Sequence, residues 1–252
     1  MAELLKNLSG KVIKSELFGI IEVHSSWNDF IDEIKDSLSK VEDEIKEVFR
    51  SKEIENNFTP KNNVLHFLTR DLKKTKVIVL GQDPYPKRGV ATGRAFEIKG
   101  FNSWDEKKCS LKNIIKAIYI AYFKSETDRD EVLMEEVREV LENKIIPIED
   151  WFEKMEDRGV LFLNTAFTCK VDESNYHRRY WKYFTPIIID CIITKKPGCT
   201  WFVWGNSAKK IMKKYKNEIQ YTSSHPVIDS FIYENNGFRK TKENNLINWL
   251  GE

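Results

Sequence analysis

Three short apolar runs and a fourth strand-like stretch punctuate the chain, and each stops at a glycine or a polar residue. Val77-Ile78-Val79-Leu80 runs into Gly81, and Val160-Leu161-Phe162-Leu163 runs into Asn164-Thr165. Thr200-Trp201-Phe202-Val203-Trp204 runs into Gly205, and Tyr221-Thr222 leads into Ser223-Ser224-His225-Pro226. Short runs rich in β-branched and aromatic residues read as buried strands. Elsewhere the apolar period is helical. Trp27, Phe30, Ile31, Ile34, Val41, Ile45 and Val48 predict a helix that starts at Trp27 and is capped by Ser25-Ser26. Pro60 precedes a helix with apolar positions 64, 65, 67 and 68, and Ser110 opens an apolar helix over Ile114 to Tyr122. Val132, Leu133, Val137, Val140 and Leu141 predict an amphipathic acidic helix inside a charged insertion, 124–150. Residues 1–24 show no clear period and read as an N-terminal extension.

Composition changes this picture little. The chain has 252 residues, 41% hydrophobic and 32% charged, as expected for one globular α/β domain with a sizeable core. No internal repeat or Gly/Ser linker divides it, so 1–252 reads as a single domain. Lys+Arg is 41 against Asp+Glu 39, a net charge of +2, so any nucleic-acid surface must be local. The first residues lack the apolar core of a signal peptide, and no 18-residue apolar run exists. A cytoplasmic, monomeric protein with no membrane contact is expected. Cys109, Cys169, Cys191 and Cys199 form no CxxC pair, so reduced buried thiols are expected, with no metal and no cofactor. No G-x-G-x-x-G or Walker sequence supports a nucleotide-binding domain.

Candidate chemistry concentrates between Lys76 and Phe96, KVIVLGQDPYPKRGVATGRAF. Gly81 lets the backbone turn, Gln82 and Asp83 follow at the strand's carboxyl end, and Pro84 and Pro86 stiffen the loop around Tyr85. Open α/β sheets bind ligands outside the carboxyl ends of their strands, so Asp83 is a candidate catalytic carboxylate.

GQDPYP followed by G-x-A-x-G-x-A-F resembles the water-activating loop of family 1 uracil-DNA glycosylases, with a poxvirus-like proline, Pro86, where the family usually carries histidine. Further blocks follow in the family's order. Pro60 to Leu68 resembles its P-x₃-VFxAF segment, Ser110-Leu111-Lys112-Asn113 its phosphate-gripping Ser-Leu-x-Asn, and Gly159 to Thr165 its GVLLLNT. Trp181, Phe184 and Ile187 within Tyr176 to Ile193 resemble its WxxFTxxI helix. Trp204-Gly205-Asn206 resembles its WGS, and His225-Pro226 with Ser230 its HPSPLS loop. The resemblance covers roughly 57–249. It implies a central four-stranded, mostly parallel sheet flanked by helices, and hydrolysis of the uracil–deoxyribose bond in single- or double-stranded DNA.

It also implies roles. Asp83 activates water and His225 donates to the leaving uracil. Asn164 reads the base edge, Phe96 stacks on the ring, Tyr85 excludes a C5 methyl, and Gln82 offers a backbone N–H. Pro86, Ser110, Gly205, Asn206, Ile228 and Ser230 contact DNA. The family's intercalating leucine aligns with Asp229, which leaves Ile228 or Phe231 as the wedge. A protein inhibitor that mimics DNA and a protein partner at the acidic helix, 126–144, are further expected partners. The alternative reading is a glycosylase-like DNA-binding subunit that tethers a repair or replication partner.

Overall fold

The computed structural model describes residues 11–50, 53–54, 58–60, 63–101, 103–104, 110–125, 131–141, 144–234 and 237–251. The elements in chain order are β1 (Val12–Ser15), β2 (Gly19–Glu22), α1 (Ile31–Val48), β3 (Phe58–Thr59), β4 (Val77–Gly81), α2 (Ser110–Phe123), α3 (Met134–Leu141) and α4 (Ile148–Asp157). There follow β5 (Val160–Asn164), β6 (Cys169–Lys170), α5 (Arg178–Trp181), α6 (Phe184–Lys195), β7 (Thr200–Trp204), α7 (Gly205–Met212), β8 (Ile219–Ser223), α8 (Phe231–Glu234) and α9 (Gly237–Glu243). The three apolar runs and the stretch before His225 are the four strands of one parallel sheet, in the order β5–β4–β7–β8, flanked by helices. Every residue of β4, β5 and β7 is buried, which is why these strands read as continuous rather than alternating apolar runs. β8, at the other end of the order from β5, is polar and half-exposed.

Several local expectations are corrected. The N-terminal extension contains a hairpin, β1 paired antiparallel with β2 around Gly19 at φ +76°. Four-residue strands are too short to show a period in the sequence. Ser25–Phe30 forms a 3₁₀ turn capped by the His24 side chain, which accepts from the Ser26 N–H, and the α-helix begins only at Ile31. The short helix expected over 64–68 is a 3₁₀ turn, His66–Thr69, entered through Leu65 at φ +63°. The stretch from Tyr176 to Ile193 is broken into α5 and α6. In the acidic insertion 126–130 and 142–143 lie outside the described residues, as do 1–10 and Cys109. The helical remainder, α3, turns Val137 and Leu141 inward and packs on α2, tied by Tyr119 Oη donating to Glu136 Oε1 at 2.5 Å. The side it leaves outward is acidic.

The chain groups into two compact units. The first comprises Met1–Thr75, Gly81–Lys99 and Phe162–Cys199. The second comprises Lys76–Leu80, Gly100–Leu161 and Thr200–Glu252. The first is built on Trp27, Phe67, Phe167, Trp181 and Phe184, whose rings meet edge-on or tilted at 5.1–5.5 Å. Trp27 and Trp181 satisfy their indole N–H groups inside it, on Arg70 O at 3.0 Å and on Thr168 Oγ1 at 2.9 Å. The second is built on Trp249, which meets Phe202 at 5.4 Å and Phe238 at 4.8 Å, and whose carbonyl accepts from Trp151 Nε1 at 2.8 Å. The tail at 245–249 is therefore a core element.

Among the described residues no helix is long and apolar enough to cross a membrane, and Cys169, Cys191 and Cys199 are buried free thiols. Burial pushes the Cys191 thiol up to about 12.

His177 is fully buried against Phe58, with ring centroids 3.9 Å apart, and its Nδ1 meets Thr168 Oγ1 at 3.1 Å. Burial, helped by the charges of Arg179 and Lys170, pushes its imidazole down to about 3. The unfolded chain binds this proton near pH 6.5 and the folded chain does not, so stability falls as pH drops from 6.5 towards 3. The expected slope is about 1.4 kcal/mol per pH unit in that window. Thermal melts from pH 7 to pH 4.5 should show it. His177→Phe should flatten the slope, and an unchanged slope in that variant would refute the assignment.

Candidate active site

The buried strand β4 ends at Gly81, and polar chemistry begins with the next residue. Gly81 is required by close approach. A Cβ there would lie 2.8 Å from Asn164 Oδ1, 3.0 Å from Ala95 Cβ and 3.1 Å from Phe96 Cε2. The end of β4 therefore brings the Asn164 amide and the Phe96 ring together in the first unit. Phe96 is held at φ +69° and is 7% exposed, a strained backbone for an aromatic residue of the kind found at ligand sites. Asn164 is 3% exposed. The Gln82 carbonyl accepts from Thr165 N at 3.0 Å, Ala166 N at 2.9 Å and Thr165 Oγ1 at 2.7 Å. These bonds fasten the start of the loop to the end of β5.

The Asp83 carboxylate sits half-exposed on this loop. Its Oδ1 accepts from Gln82 Nε2 at 3.0 Å. Ser174 Oγ lies 3.1 Å from Oδ1 and 3.0 Å from Oδ2, and the Asn175 N–H donates to Oδ2 at 2.6 Å. Tyr85 is held between Pro84, which is buried, and Pro86, which is half-buried, and their carbonyls are engaged by Cys169 Sγ at 3.2 Å and Asp172 N at 3.0 Å. Burial, and then the charge of Asp83, push the Cys169 thiol up, so it stays protonated.

His225 lies in the second unit, on the loop after β8. The Val227 N–H donates to its Nδ1 at 3.2 Å, which leaves the ring proton of the neutral imidazole on Nε2. Gly205, at φ +83°, passes so close that a Cβ would lie 3.1 Å from His225 Cβ. Asn206 next to it is exposed at the start of α7, beside Lys209 and Lys210. Asn113 of α2 braces the loop by donating to Pro226 O at 2.8 Å and to Asp229 Oδ1 at 3.3 Å. The Asp229 carboxylate is thus turned to Asn113, while Val227 and Ile228 stand 64% and 52% exposed at the tip. Phe231 is fully buried against Trp204 and is not available as a wedge. Ser230 Oγ meets Ser224 Oγ at 3.3 Å, beside Glu234, whose carboxyl is held low chiefly by the Ser224 N–H. Ser110, the first residue of α2, is 4% exposed.

Of the candidates, Gln82, Asp83, Tyr85, Pro86, Phe96 and Asn164 fall in the first unit. Ser110, Gly205, Asn206, His225, Ile228 and Ser230 fall in the second. Sequence reasoning missed Thr165, Ser174 and Asn175, which fasten the Asp83 loop, and the bracing role of Asn113. The turn-forming run Asp172-Glu173-Ser174-Asn175 was the available signal. Asp172 and Asn175 both adopt φ +63°.

A carboxylate, an aromatic ring and a buried amide gather at the carboxyl ends of strands in a parallel α/β sheet, the place where enzymes of this architecture bind their ligands. No family model matches the chain. A uracil-DNA glycosylase of Fusobacterium nucleatum is 27% identical over 241 residues, 92% of this chain and 94% of that one. One from Christiangramia forsetii is 30% identical over 194 residues, 74% of this chain and 77% of that one. The wild-type UNG structure from Nitratifractor salsuginis superposes with a TM-score of 0.68 at 22% identity, covering 98% of this chain and 96% of that one. The chain belongs to the uracil-DNA glycosylase family.

Gly205→Ala is expected to cost about 1–3 kcal/mol, because a left-handed backbone is strained for any Cβ and this one meets His225. A lowered melting midpoint with a perturbed His225 ring resonance would report it. A variant that melts and resonates like the wild type would refute it.

Proposed function

We propose that this DNA-repair glycosylase is a family 1 enzyme that hydrolyses the N–C1′ bond of deoxyuridine, with Asp83 and His225 as its catalytic pair. The observation that carries the reading is the junction at Gly81, where Asn164 and Phe96 converge beside the loop that holds Asp83. The base lies inside DNA and has to be flipped out, or taken from a single strand. Cleavage places positive charge on the sugar and negative charge on uracil. The Asp83 carboxylate orients the attacking water and stabilises the cationic sugar. A neutral His225 with its proton on Nε2 is the donor that uracil O2 requires. The Asn164 amide complements uracil N3–H and O4, and cytosine presents the inverse pattern. Tyr85 occupies the space of a thymine methyl. Pro86 in place of a histidine is the poxvirus-like feature of the loop and removes one polar contact. Exposed Asn206 and Ser230, with Lys209 and Lys210, supply phosphate contacts, and buried Ser110 supports them from the start of α2. A DNA-mimicking protein inhibitor fits the same surfaces, and a mimivirus UNG variant has been solved in complex with UGI.

Free-uracil release from single-stranded and duplex uracil oligonucleotides tests this reading. Asp83→Asn should lower release by about 10³-fold or more on both. Equal release by wild type and variant would remove Asp83 from the mechanism. Release from neither substrate by a folded, DNA-binding protein would favour the tethering-subunit reading.

The exposed apolar tip supports Ile228 as the wedge. Ile228→Ala should slow duplex cleavage more than single-strand cleavage. Asp229→Leu should raise duplex activity, since it removes a carboxylate near phosphates and enlarges the apolar tip. Equal effects on both substrates would argue against a wedge at this loop.

A further inference from the structure

We propose that Ser174 is a positioning residue for the reaction, acting through Asp83 by fixing which face of its carboxylate is left to the attacking water. The inference rests on the glycosylase reading and deepens it. Ser174 lies in none of the motif blocks, and the turn-forming run around it marks a turn without naming a chemical role. Its hydroxyl lies 3.1 Å from Asp83 Oδ1 and 3.0 Å from Oδ2, so it straddles the carboxylate rather than touching one corner. Gln82 Nε2 reaches both Ser174 Oγ, at 3.3 Å, and Asp83 Oδ1, at 3.0 Å. The Asn175 N–H closes the other side on Oδ2 at 2.6 Å. Gln82, Asp83 and Ser174 thus form a closed triangle, pinned by a backbone donor.

The acceptor count gives the triangle its consequence. An ionised carboxylate offers about four acceptor sites. Gln82, Asn175 and the single hydroxyl proton of Ser174 fill three of them. One site remains, and a water held there is confined to one direction. Without the hydroxyl two sites are open, and the carboxylate is free to turn about its last torsion. Both changes spread the water over orientations that do not lead to attack on C1′, and misplacement of a reacting group by about 1 Å costs on the order of 10²-fold.

Asp83 is braced by a neighbouring turn and not by its own loop alone. The Asp172 N–H donates to Pro86 O at 3.0 Å, and Glu173 N donates to Lys170 O at 3.1 Å. The turn that carries Ser174 is therefore itself fastened to the far end of the Asp83 loop. Ser174 is exposed, so its hydroxyl is not needed to fill a core, and its removal leaves no buried group unpaired.

The test is a double-mutant cycle in single-turnover uracil release from a single-stranded oligonucleotide. Ser174→Ala should lower kcat by about 10-fold or more with KM within about twofold and an unchanged melting temperature. Ser174→Thr should keep most of the activity, and Ser174→Val, of the same shape but without the hydroxyl, should lose it. The Thr–Val comparison decides even if alanine loosens the turn. In the Asp83→Asn background, Ser174→Ala should change the residual rate by less than about twofold, because the group it positions is gone. The proposal is overturned by wild-type kcat in Ser174→Ala, by equal activity of the Thr and Val variants, or by an undiminished Ser174→Ala effect in the Asp83→Asn background. If wild type and Asp83→Asn release uracil equally, the glycosylase mechanism itself fails, and the Ser174 inference falls with it.

Discussion

A strand buried on both faces has no side-chain position at which a charge can stand without desolvation, except at its ends. That constraint governs this molecule. Val77 to Leu80 are fully buried, and the first residues free to be polar are Gln82 and Asp83, just past Gly81. The same holds one strand over, where Leu163 is the last apolar residue of β5 before Asn164 and Thr165. The end of β4 is tied to the end of β5 by the Thr165 and Ala166 N–H groups, which donate to the Gln82 carbonyl. A carboxylate placed there inherits the sheet's rigidity.

Precision is added by short-range devices. In the first unit, Gly81 gives up its side chain so that Asn164 and Phe96 can close on it. Thr165 and Ala166 hold the Gln82 carbonyl, and the Ser174–Asn175 turn holds the carboxylate. In the second unit, Gly205 gives way to His225, Val227 sets the tautomer of its ring, and Asn113 braces the loop beyond it. Small residues make space and backbone N–H groups set direction, so the Asp83 and His225 side chains are left with little conformational freedom.

The departures from the family pattern acquire physical content in this setting. Asp229 stands where a leucine is expected, and its carboxylate is drawn to Asn113 rather than presented outward. The exposed apolar surface passes to Val227 and Ile228. Pro86 contributes through its backbone, as acceptor for Asp172, in a loop whose bracing comes from the turn at 172–175. The acidic insertion spends its apolar face on α2.

Much of this was legible in the chain alone. Buried parallel strands are continuous apolar runs, so β4, β5 and β7 could be read from the chain, and the polar residues that end those runs named Asp83, Asn164 and the turn at Gly205. The resemblance of these ordered blocks to the family implied their roles. Local devices were not legible, because they depend on neighbours far apart in sequence. The β1–β2 hairpin is too short for a period, and the 3₁₀ turns at 25–30 and 66–69 carry helical apolar spacing without helical hydrogen bonding. Ser174 holds Asp83 across ninety-one positions, and Asn113 reaches Pro226 across one hundred and thirteen. The burial of Phe231 likewise decided which residues of the His225 loop remain exposed. Strand identity and chemical type follow from local composition, which the sequence contains. The partners of a carboxylate, the tautomer of an imidazole and the exposure of a loop residue are set by packing, which only the tertiary structure decides.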